Sequence, residues 1–309
     1  MATPELTAGA EPRLRAERRR IGEDVVKGVL ALCALVSVAT TVGIVIALFV
    51  PAIEFFREIS IVDFLTGRDW SPLFEPAHFG VLPLIGGTLL VTAIASIVAI
   101  PLGLGAAIYL SEYASSRLRG VLKPALELLA GIPTIVFGYF ALTFVTPLLR
   151  DLGVQVDIFN ALSAGLVMGV MLIPTIGSLS EDAMGSVPRD LRDGAYALGS
   201  TKVQVATRIV VPAAVSGIIA SFVLGISRAI GETMIVLVAA GQQPNLTFDP
   251  RQAIETMTAF IAATGAGDVP TGSTEYKTIF AVGATLFVLT FAMNVLAIRL
   301  VRKYREVYE

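Results

Sequence analysis

Six long apolar runs constrain the fold of this 309-residue chain more strongly than any other feature. Each run is close to or longer than the roughly 20 residues that a helix needs to cross a bilayer. Several contain glycine or proline, which membrane helices tolerate when their neighbours satisfy the freed backbone groups. We therefore predict an all-α membrane protein with six transmembrane helices, at Val25–Val50, Leu82–Leu110, Pro124–Leu149, Phe159–Leu179, Ala213–Ala240 and Thr278–Val301.

The composition agrees with a membrane location and argues against several other classes of protein. Hydrophobic residues make up 55% of the chain and charged residues 16%, whereas soluble domains carry about 25% charged residues. The net charge of -2 gives no general attraction to nucleic acid, and one cysteine (Cys33) with one histidine (His78) cannot build a metal site. The sequence contains no G-x-x-x-x-G-K-[ST] phosphate-binding loop. We expect no cofactor in this chain, so any ATP must be bound by another chain.

The distribution of basic residues predicts how the helices are oriented. With the N-terminus inside and six alternating spans, 17 of the 23 lysines and arginines lie in cytoplasmic segments and 5 lie outside. This bias follows the positive-inside rule, so both termini and the polar segment 193–212 are expected in the cytoplasm. We predict three regions: a basic N-terminus, first span and outer loop at 1–80, a transmembrane domain at 81–301, and a cytoplasmic tail at 302–309.

Two long outer segments carry expectations of their own. In residues 51–80, Trp70 is expected at the level of the lipid headgroups, where tryptophan is enriched. Residues 241–277 are long enough to have a task, and facing outward they could dock a partner that delivers substrate. A short helix is predicted there, with three apolar residues spaced for one face: Ile254, Met257 and Ile261.

Two ionisable residues, Arg228 and Glu232, lie deep in the fifth predicted span. Arg228 is roughly 20 Å from the start of that helix at 1.5 Å per residue, and ionisable groups at such depth normally face a bundle interior or a wet cavity. One interpretation is that Arg228 offers its guanidinium to an oxyanion in transit, while Glu232 restrains it or repels anions. The other is a self-satisfied ion pair, because the i, i+4 spacing allows direct contact on one helix face.

The polar segment 193–212 is predicted to form two short helices, and it contains no catalytic constellation. The first helix begins at residues 193–195 and ends at Gly199, a residue type that commonly follows a helix. The second covers residues 201–210, and Pro212 is expected to break it before the fifth span. Such a segment can transmit force if a partner grips it, or it can be an ordinary cytoplasmic loop.

The spacing in this segment resembles the E-A-A-x3-G-x9-I-x-L-P loop of ABC importer permeases. Asp193 stands where the family has Glu, Gly194 where it has Ala, and Val211 where it has Leu. In that family the loop supplies a coupling helix that docks into a cleft of the ATPase subunit. The resemblance implies a type I ABC importer permease fold and an ATPase coupling loop whose matching residues are Asp193, Gly194, Ala195, Gly199, Ile209 and Pro212.

Four further motifs resemble the phosphate permease subunits of the PstC family. This resemblance implies a multi-pass protein of the bacterial plasma (inner) membrane in which Arg228 and Glu232 line or gate the phosphate pathway. It also implies a PstA-like sister permease, a PstB-like ATPase dimer that binds ATP and Mg, and a PstS-like extracytoplasmic phosphate-binding protein. The motifs are Phe64–Pro72 (FLTGRDWSP), Ile108–Tyr113 (IYLSEY), Gly131–Gly138 (GIPTIVFG) and Arg228–Met234 (RAIGETM).

Other functions stay open at this point. Permeases for sulfate or molybdate are similar, although they tend to carry R-A-L-G-E-F where this chain has R-A-I-G-E-T. A secondary transporter driven by an ion gradient would also have midplane ionisable residues, but many such folds contain an inverted repeat, and none is convincing here. An intramembrane enzyme would need a nucleophile–base or metal constellation, for which this sequence offers little.

Overall fold

The computed structural model describes residues 21–303, most of which are helical. The N-terminal arginine cluster, within residues 1–20, and the end of the predicted tail, residues 304–309, lie outside the described residues. The chain divides into two compact units between Ala47 and Leu48. The described part of the first unit is the apolar beginning of the first long helix, which continues into the second unit. All other elements described below belong to the second unit.

The described chain consists of helices and one small hairpin. The hairpin pairs β1 (Trp70–Ser71) with β2 (His78–Phe79) in antiparallel register, with Trp70 opposite Phe79. Three short π-helical turns interrupt or extend the helices, at Tyr109–Tyr113, Ala141–Val145 and Ala206–Val210. The α-helices are α1 (Ile21–Glu58), α2 (Ile61–Thr66), α3 (Leu82–Ile108), α4 (Ser116–Ala130), α5 (Thr134–Phe140), α6 (Thr146–Asp151), α7 (Ala161–Gly185), α8 (Arg189–Ala197), α9 (Lys202–Val205), α10 (Val211–Ala213), α11 (Val215–Ile230), α12 (Met234–Ala239), α13 (Met257–Ala266) and α14 (Thr274–Lys303).

The predicted all-α membrane fold is confirmed. Four described helices are long and apolar enough to cross a membrane, and two bent pairs of shorter helices pass the same test together. Counting each bent pair as one span gives the predicted number of six. The four long helices are Gly22–Glu58, Leu82–Tyr113, Ala161–Gly185 and Thr274–Arg299, and the bent pairs cover residues 116–151 and 202–230.

The third predicted span is wrong at its start, because the helix does not run continuously from Pro124. α4 ends at Ala130, and the chain turns by 86° before α5 begins at Thr134. The turn falls at Gly131-Ile132-Pro133. Proline has no N–H to continue the hydrogen-bond ladder, and it disfavours the helical conformation in the residue before it. α4 is therefore a separate helix.

The fifth predicted span is broken as well. α11 ends at Ile230, and α12 begins only at Met234. A second bend, of 73°, lies at Ala214, between α10 and α11. Pro212 was expected to break the helix itself. It instead directly follows the π-helical turn at residues 206–210, where the regular hydrogen-bond ladder is already interrupted.

α7 lies at the centre of the described bundle and contacts α3, α4, α11 and α12. A glycine lets α3 approach it closely: a Cβ atom added to Gly103 would lie 2.9 Å from the Cβ of Ile176. α11 is joined to α7 by a buried hydrogen bond of 2.7 Å between the hydroxyls of Ser180 and Ser221. Small residues and interhelical hydrogen bonds stabilise helix pairs in lipid, where the hydrophobic effect does not drive association.

A buried carboxylate fixes α4 against the C-terminal end of α7. Glu181 is fully buried, and both Arg119 and Lys123 of α4 contact it, the lysine Nζ at 2.7 Å. Lys123 also pairs with Asp182 at 2.7 Å. Removing such partners would leave an uncompensated buried charge. Because α4 has no buried residue of its own, charge pairing stabilises this contact more than apolar packing does.

The side chain of Trp70 is buried in protein, with a relative exposure of 4%. Its expected position at the level of the lipid headgroups stays a prediction. The indole packs edge-on against Phe260 of α13 and Phe64 of α2, with ring centroids 4.9 and 6.1 Å apart. The tryptophan thus belongs to a buried cluster that the loop forms together with α3, α13 and α14, whose residues include Leu84, Met257 and Val282.

The predicted short helix in residues 241–277 is confirmed as α13, although it begins after Ile254. Thr256 caps it by accepting a hydrogen bond from the amide of Ala259 at 3.1 Å. The amide of Met257 donates to the hydroxyl of Thr88 on α3 at 3.0 Å. The bond from Met257 to Thr88 ties the start of α13 to α3.

Glu255 is a buried acid beside this junction. It is 6% exposed, and no described residue gives its carboxyl group a hydrogen bond or an ion pair. Its backbone lies against α3, since a Cβ added to Gly87 would come within 2.3 Å of the Glu255 carbonyl oxygen. Burial raises the pKa of Glu255 to about 7, because a carboxylate without a partner is poorly solvated there.

The contact between α3 and α7 predicts a difference between two neighbouring glycines. We expect Gly103→Ala to destabilise the protein by about 1–3 kcal/mol, because the added methyl group would overpack against Ile176. Gly105→Ala is the matched control, since nothing lies within 4 Å of a Cβ added there. Alanine is the better helix former by up to about 1 kcal/mol. Thermal unfolding in detergent measures both variants, and equal stabilities would contradict the close contact.

The buried acid predicts a pH dependence of stability. The folded-state pKa of Glu255, about 7, lies above the ordinary value of 4.5. The protonated folded form is therefore favoured, and this stability is present below pH 4.5 and is lost as the pH rises through 7. We expect Glu255→Gln to become more stable than the wild type as the pH rises, by up to about 3 kcal/mol. Thermal unfolding at pH 5 and pH 8.5 measures this, and a pH-independent difference would contradict it.

Candidate functional site

Arg228 lies in the last turn of α11 with its side chain exposed. Its Nη1 donates to the hydroxyl of Thr175 on α7 at 3.1 Å. Thr175 is neutral, and a guanidinium has five N–H donors. No described carboxylate lies within ion-pair distance of Arg228. The cation therefore keeps most of its hydrogen-bonding capacity for groups outside this chain.

Glu232 does not pair with Arg228, so the ion pair that the spacing allowed does not form. α11 ends at Ile230, and the backbone turns before Glu232, which removes the common helix face. The Glu232 Oε1 accepts hydrogen bonds from the amides of Met234 at 3.0 Å and Ile235 at 3.4 Å. The carboxylate thus satisfies amides freed at the start of α12, where the partial positive charge of a helix N-terminus favours an anion.

The break between α11 and α12 is closed by α13. The carbonyl oxygen of Glu232 accepts a hydrogen bond from the hydroxyl of Thr258 at 2.7 Å. Glu232 and Thr258 are both buried, with relative exposures of 9% and 6%. Backbone groups at membrane depth need such partners, since irregular backbone is tolerated there only when protein or a wet cavity surrounds it. Arg228 and Glu232 are four positions apart in sequence, but the break gives their side chains different surroundings.

The predicted coupling loop begins with α8, which starts earlier than expected. The helix runs from Arg189, four residues before Asp193, because Pro188 precedes its first turn. Gly199 ends it as predicted, with φ +82°, a left-handed conformation that favours glycine. The amide of Gly199 donates to Tyr196 O at 2.9 Å, and that of Ser200 to Ala195 O at 3.1 Å. These two bonds form a Schellman motif.

The second half of the loop is one continuous helical stretch, Lys202–Ala213, with a π-helical turn in its middle. Thr201 and Gln204 form a capping box at its start, with hydrogen bonds in both directions at 2.8 and 3.4 Å. Ile209 is half-buried and packs against the apolar cluster below the loop. Pro212 lies near the end of the stretch, and Ala214 separates it from α11.

The loop has an inner apolar face and an outer exposed face. Ala195 is buried, which explains why a small residue is needed there, whereas a Cβ added to Gly194 would meet nothing within 4 Å. The buried cluster beneath the loop comprises Ala107, Met184, Val187, Ala195, Val205, Val210, Ala214 and Ile218. The exposed outer face has four large apolar side chains, Leu191, Tyr196, Leu198 and Val203, with relative exposures of 38%, 40%, 90% and 59%.

Two polar contacts of these elements were missed from the sequence. Thr175 lies in an apolar run, where a threonine gives no signal that it meets an arginine of another helix. Arg192 contributed to the sequence-based prediction only as one of the basic residues that orient the helices. Its guanidinium is largely buried and pairs with Glu112. Among residues 21–303, no group of three or more His, Cys, Asp or Glu side chains is arranged to hold a metal ion.

Comparison with known proteins assigns these elements to a family. A family model described as "Binding-protein-dependent transport system inner membrane component" matches residues 99–306. The probable ABC transporter permease protein YqgH of Bacillus subtilis is 36% identical and is aligned over 96% of each chain. The phosphate transport system permease protein PstC of Mesorhizobium japonicum is 33% identical over 82% of each chain.

A solved structure supports the fold. This chain superimposes with a TM-score of 0.62 on a chain of a bacterial alginate ABC transporter in complex with an alginate-bound periplasmic protein. The two chains are 17% identical, and the match covers 92% of this chain and 98% of the other. The predicted type I importer permease fold and the resemblance to PstC proteins are thus confirmed. The chain belongs to the family of membrane components of binding-protein-dependent ABC transport systems.

Proposed function

We propose that this chain is a permease subunit of an ATP-driven phosphate importer in the bacterial inner membrane, where it forms half of the translocation pathway. The observation that carries the proposal is Arg228, an exposed guanidinium at membrane depth whose described hydrogen-bond partner is the neutral hydroxyl of Thr175. Intramembrane arginines normally face a partner or a wet cavity. The relatives named PstC favour phosphate over sulfate or molybdate.

The geometry around Arg228 favours an anion over a fixed partner within this chain. Glu232, the nearest acid in sequence, is occupied by the amides of α12 and does not neutralise the arginine. A planar guanidinium with free donors matches the oxygen spacing of phosphate and can bind it through two parallel hydrogen bonds. In this proposal Arg228 meets the anion directly, while Glu232 positions α12 at the edge of the pathway.

The proposed partners supply what this chain lacks. A PstA-like sister permease would cover the exposed side of Arg228 and complete the pathway. A PstB-like ATPase dimer, which binds ATP and Mg, would dock on the coupling loop, and a PstS-like protein would deliver phosphate from outside. The exposed face of α8 and α9 supports the ATPase contact, because Leu198 is 90% exposed at the tip of the loop. Burial of this side chain in a cleft of the partner would remove apolar surface from water, which favours association.

The family departures in the coupling loop are compatible with docking. Asp193 and Gly194 are both exposed on α8, so a shorter acid and a missing methyl group change the outer surface without disturbing the buried face. The third position of the motif, Ala195, is the buried one and matches the family. A secondary transporter would need no ATPase contact and would give this exposed apolar face no role.

We expect Arg228→Gln to abolish phosphate uptake while the complex still assembles, because the neutral side chain loses the charge and the fork. Arg228→Lys keeps the charge but not the bidentate geometry, so it should retain only a small part of the uptake. The measurement is uptake of labelled phosphate by cells or proteoliposomes, with co-purification of the partner subunits as the assembly check.

Arg117→Gln is the control for these variants, since Arg117 is exposed on α4 and has no side-chain partner among the described residues. Uptake by Arg228→Gln at the rate of this control would remove Arg228 from the mechanism. Loss of uptake together with loss of assembly would point to a structural role instead.

We expect Leu198→Asp to release the ATPase subunits, because a charge would replace the most exposed apolar side chain of the loop. Thr207→Asp is a matched substitution, on the π-helical turn, of a residue that is also exposed. Affinity purification of the permease pair followed by quantification of bound ATPase measures the effect. Unchanged ATPase recovery from the Leu198 variant would exclude this face as the docking surface.

A further inference from the structure

Arg192 of α8 joins three separate elements through one guanidinium. Its Nε and Nη2 donate to Glu112 Oε1 at 3.3 and 3.1 Å. Its Nη2 also donates to Met184 O at 2.7 Å, and its Nη1 donates to Val187 O at 2.6 Å. Glu112 belongs to the π-helical turn that follows α3, while Met184 and Val187 lie at the end of α7 and just beyond it. α8 is thereby tied directly to α3 and to α7.

Burial makes these contacts stronger than a surface ion pair. The side chains of Arg192 and Glu112 are 16% and 5% exposed. The hydroxyl of Ser111 donates a third hydrogen bond to the same Glu112 oxygen, at 3.0 Å. Charge-assisted bonds are stronger than neutral ones, and breaking a buried pair leaves an uncompensated charge. The carbonyls at the end of α7 carry the partial negative charge of a helix C-terminus, which also favours a cation there.

A second cation fastens the other half of the coupling loop to the same turn. Lys202, the first residue of α9, places its Nζ 5.8 Å from the ring centroid of Tyr113. Lys202 and Arg192 thus contact adjacent residues, Tyr113 and Glu112, from the two helices on either side of Gly199. The two short helices and the turn after α3 are connected on both sides of the loop.

α7 continues this connection towards Arg228. Thr175, the partner of Arg228, lies nine residues before Met184 on the same helix. At 1.5 Å per residue, this places the two contacts about 14 Å apart along the axis of α7. Between them, the hydroxyls of Ser180 and Ser221 join α7 to α11. A shift of α7 would therefore move the threonine that positions Arg228.

We infer that Arg192 is a positioning residue for transport: it couples displacement of α8 to α3 and α7, and through α7 to the hydrogen bond between Thr175 and Arg228. The inference rests on the proposed function, since it presumes that an ATPase moves the coupling loop. It gives a role in force transmission to a side chain that lies outside the coupling motif. Arg192 does not touch the docking partner in this scheme, so ATPase binding and ATP-driven transport should separate when it is changed.

The test uses the complete complex of permeases, ATPases and binding protein in proteoliposomes, supplied with phosphate and ATP. Three quantities are measured: ATPase recovered with the permeases, ATP hydrolysed, and phosphate transported per ATP. The variants are Arg192→Gln, Arg192→Lys and Glu112→Gln, with Arg117→Gln as the exposed control. Arg192→Lys keeps the positive charge but lacks the planar fork of N–H donors. Glu112→Gln keeps an acceptor oxygen but removes the negative charge.

We expect Arg192→Gln to bind ATPase normally and to hydrolyse ATP, while phosphate transported per ATP falls about 3- to 30-fold, the range that changes along a coupling connection produce. Arg192→Lys and Glu112→Gln should lie between this variant and the control. An unchanged transport ratio, even in a less heat-stable protein, would reduce Arg192 to a structural role. Loss of bound ATPase would make it part of the docking surface and overturn the inference.

The failure of the proposed function would look different. A wild-type complex that transports no phosphate, or that transports another oxyanion in its place, would overturn the proposed substrate and leave the Arg192 measurement possible with that anion. A chain that recovers no ATPase and transports on an ion gradient would remove the basis of both.

Discussion

The close packing of α7 against α3 and α11 is the interaction on which the rest of the described structure depends. Gly103 brings α3 within contact of Ile176, and the pair of Ser180 and Ser221 fixes α11. Three of the polar contacts described above are made at α7 or just beyond its end. Thr175 meets Arg228, Glu181 holds α4, and the carbonyls at its end receive Arg192. α7 has few charged residues of its own, but it positions charged side chains of α4, α8 and α11.

A second constraint explains why the fifth span is broken where it is. Backbone amides freed inside a membrane must find partners in the protein, and here the Glu232 carboxylate provides two of the bonds. In the structure the same acid does not also pair with Arg228. The i, i+4 spacing suggested an ion pair on one continuous helix. The turn after Ile230 ends that helix and separates the two side chains. After the break, Glu232 caps the backbone at the start of α12. Before the break, Arg228 at the end of α11 has no described ion-pair partner.

The sequence predicted the fold class well because apolar run length is imposed by the bilayer and needs no knowledge of tertiary contacts. It failed where local backbone geometry decides: the turn at Gly131–Pro133, the break after Ile230 and the bend at Ala214 all lie inside spans that were predicted as continuous helices. The protein neighbours of Trp70 were not predicted, because the packing of its loop against Phe260 is a long-range contact. Gly199 was placed correctly, since a glycine of positive φ after a short helix is a local signal.

The candidate site shows the same division between local and long-range information. Arg228 was recognisable because a charge within an apolar run is conspicuous, whereas its partner Thr175 is an unremarkable residue of another helix. Arg192 lies directly before the predicted coupling motif, but its acceptors are Glu112, 80 positions away, and main-chain carbonyls at and just beyond the end of α7. Main-chain acceptors leave no trace in a sequence pattern. The connection from the coupling loop to the arginine therefore becomes apparent only when α7 is followed from one end to the other.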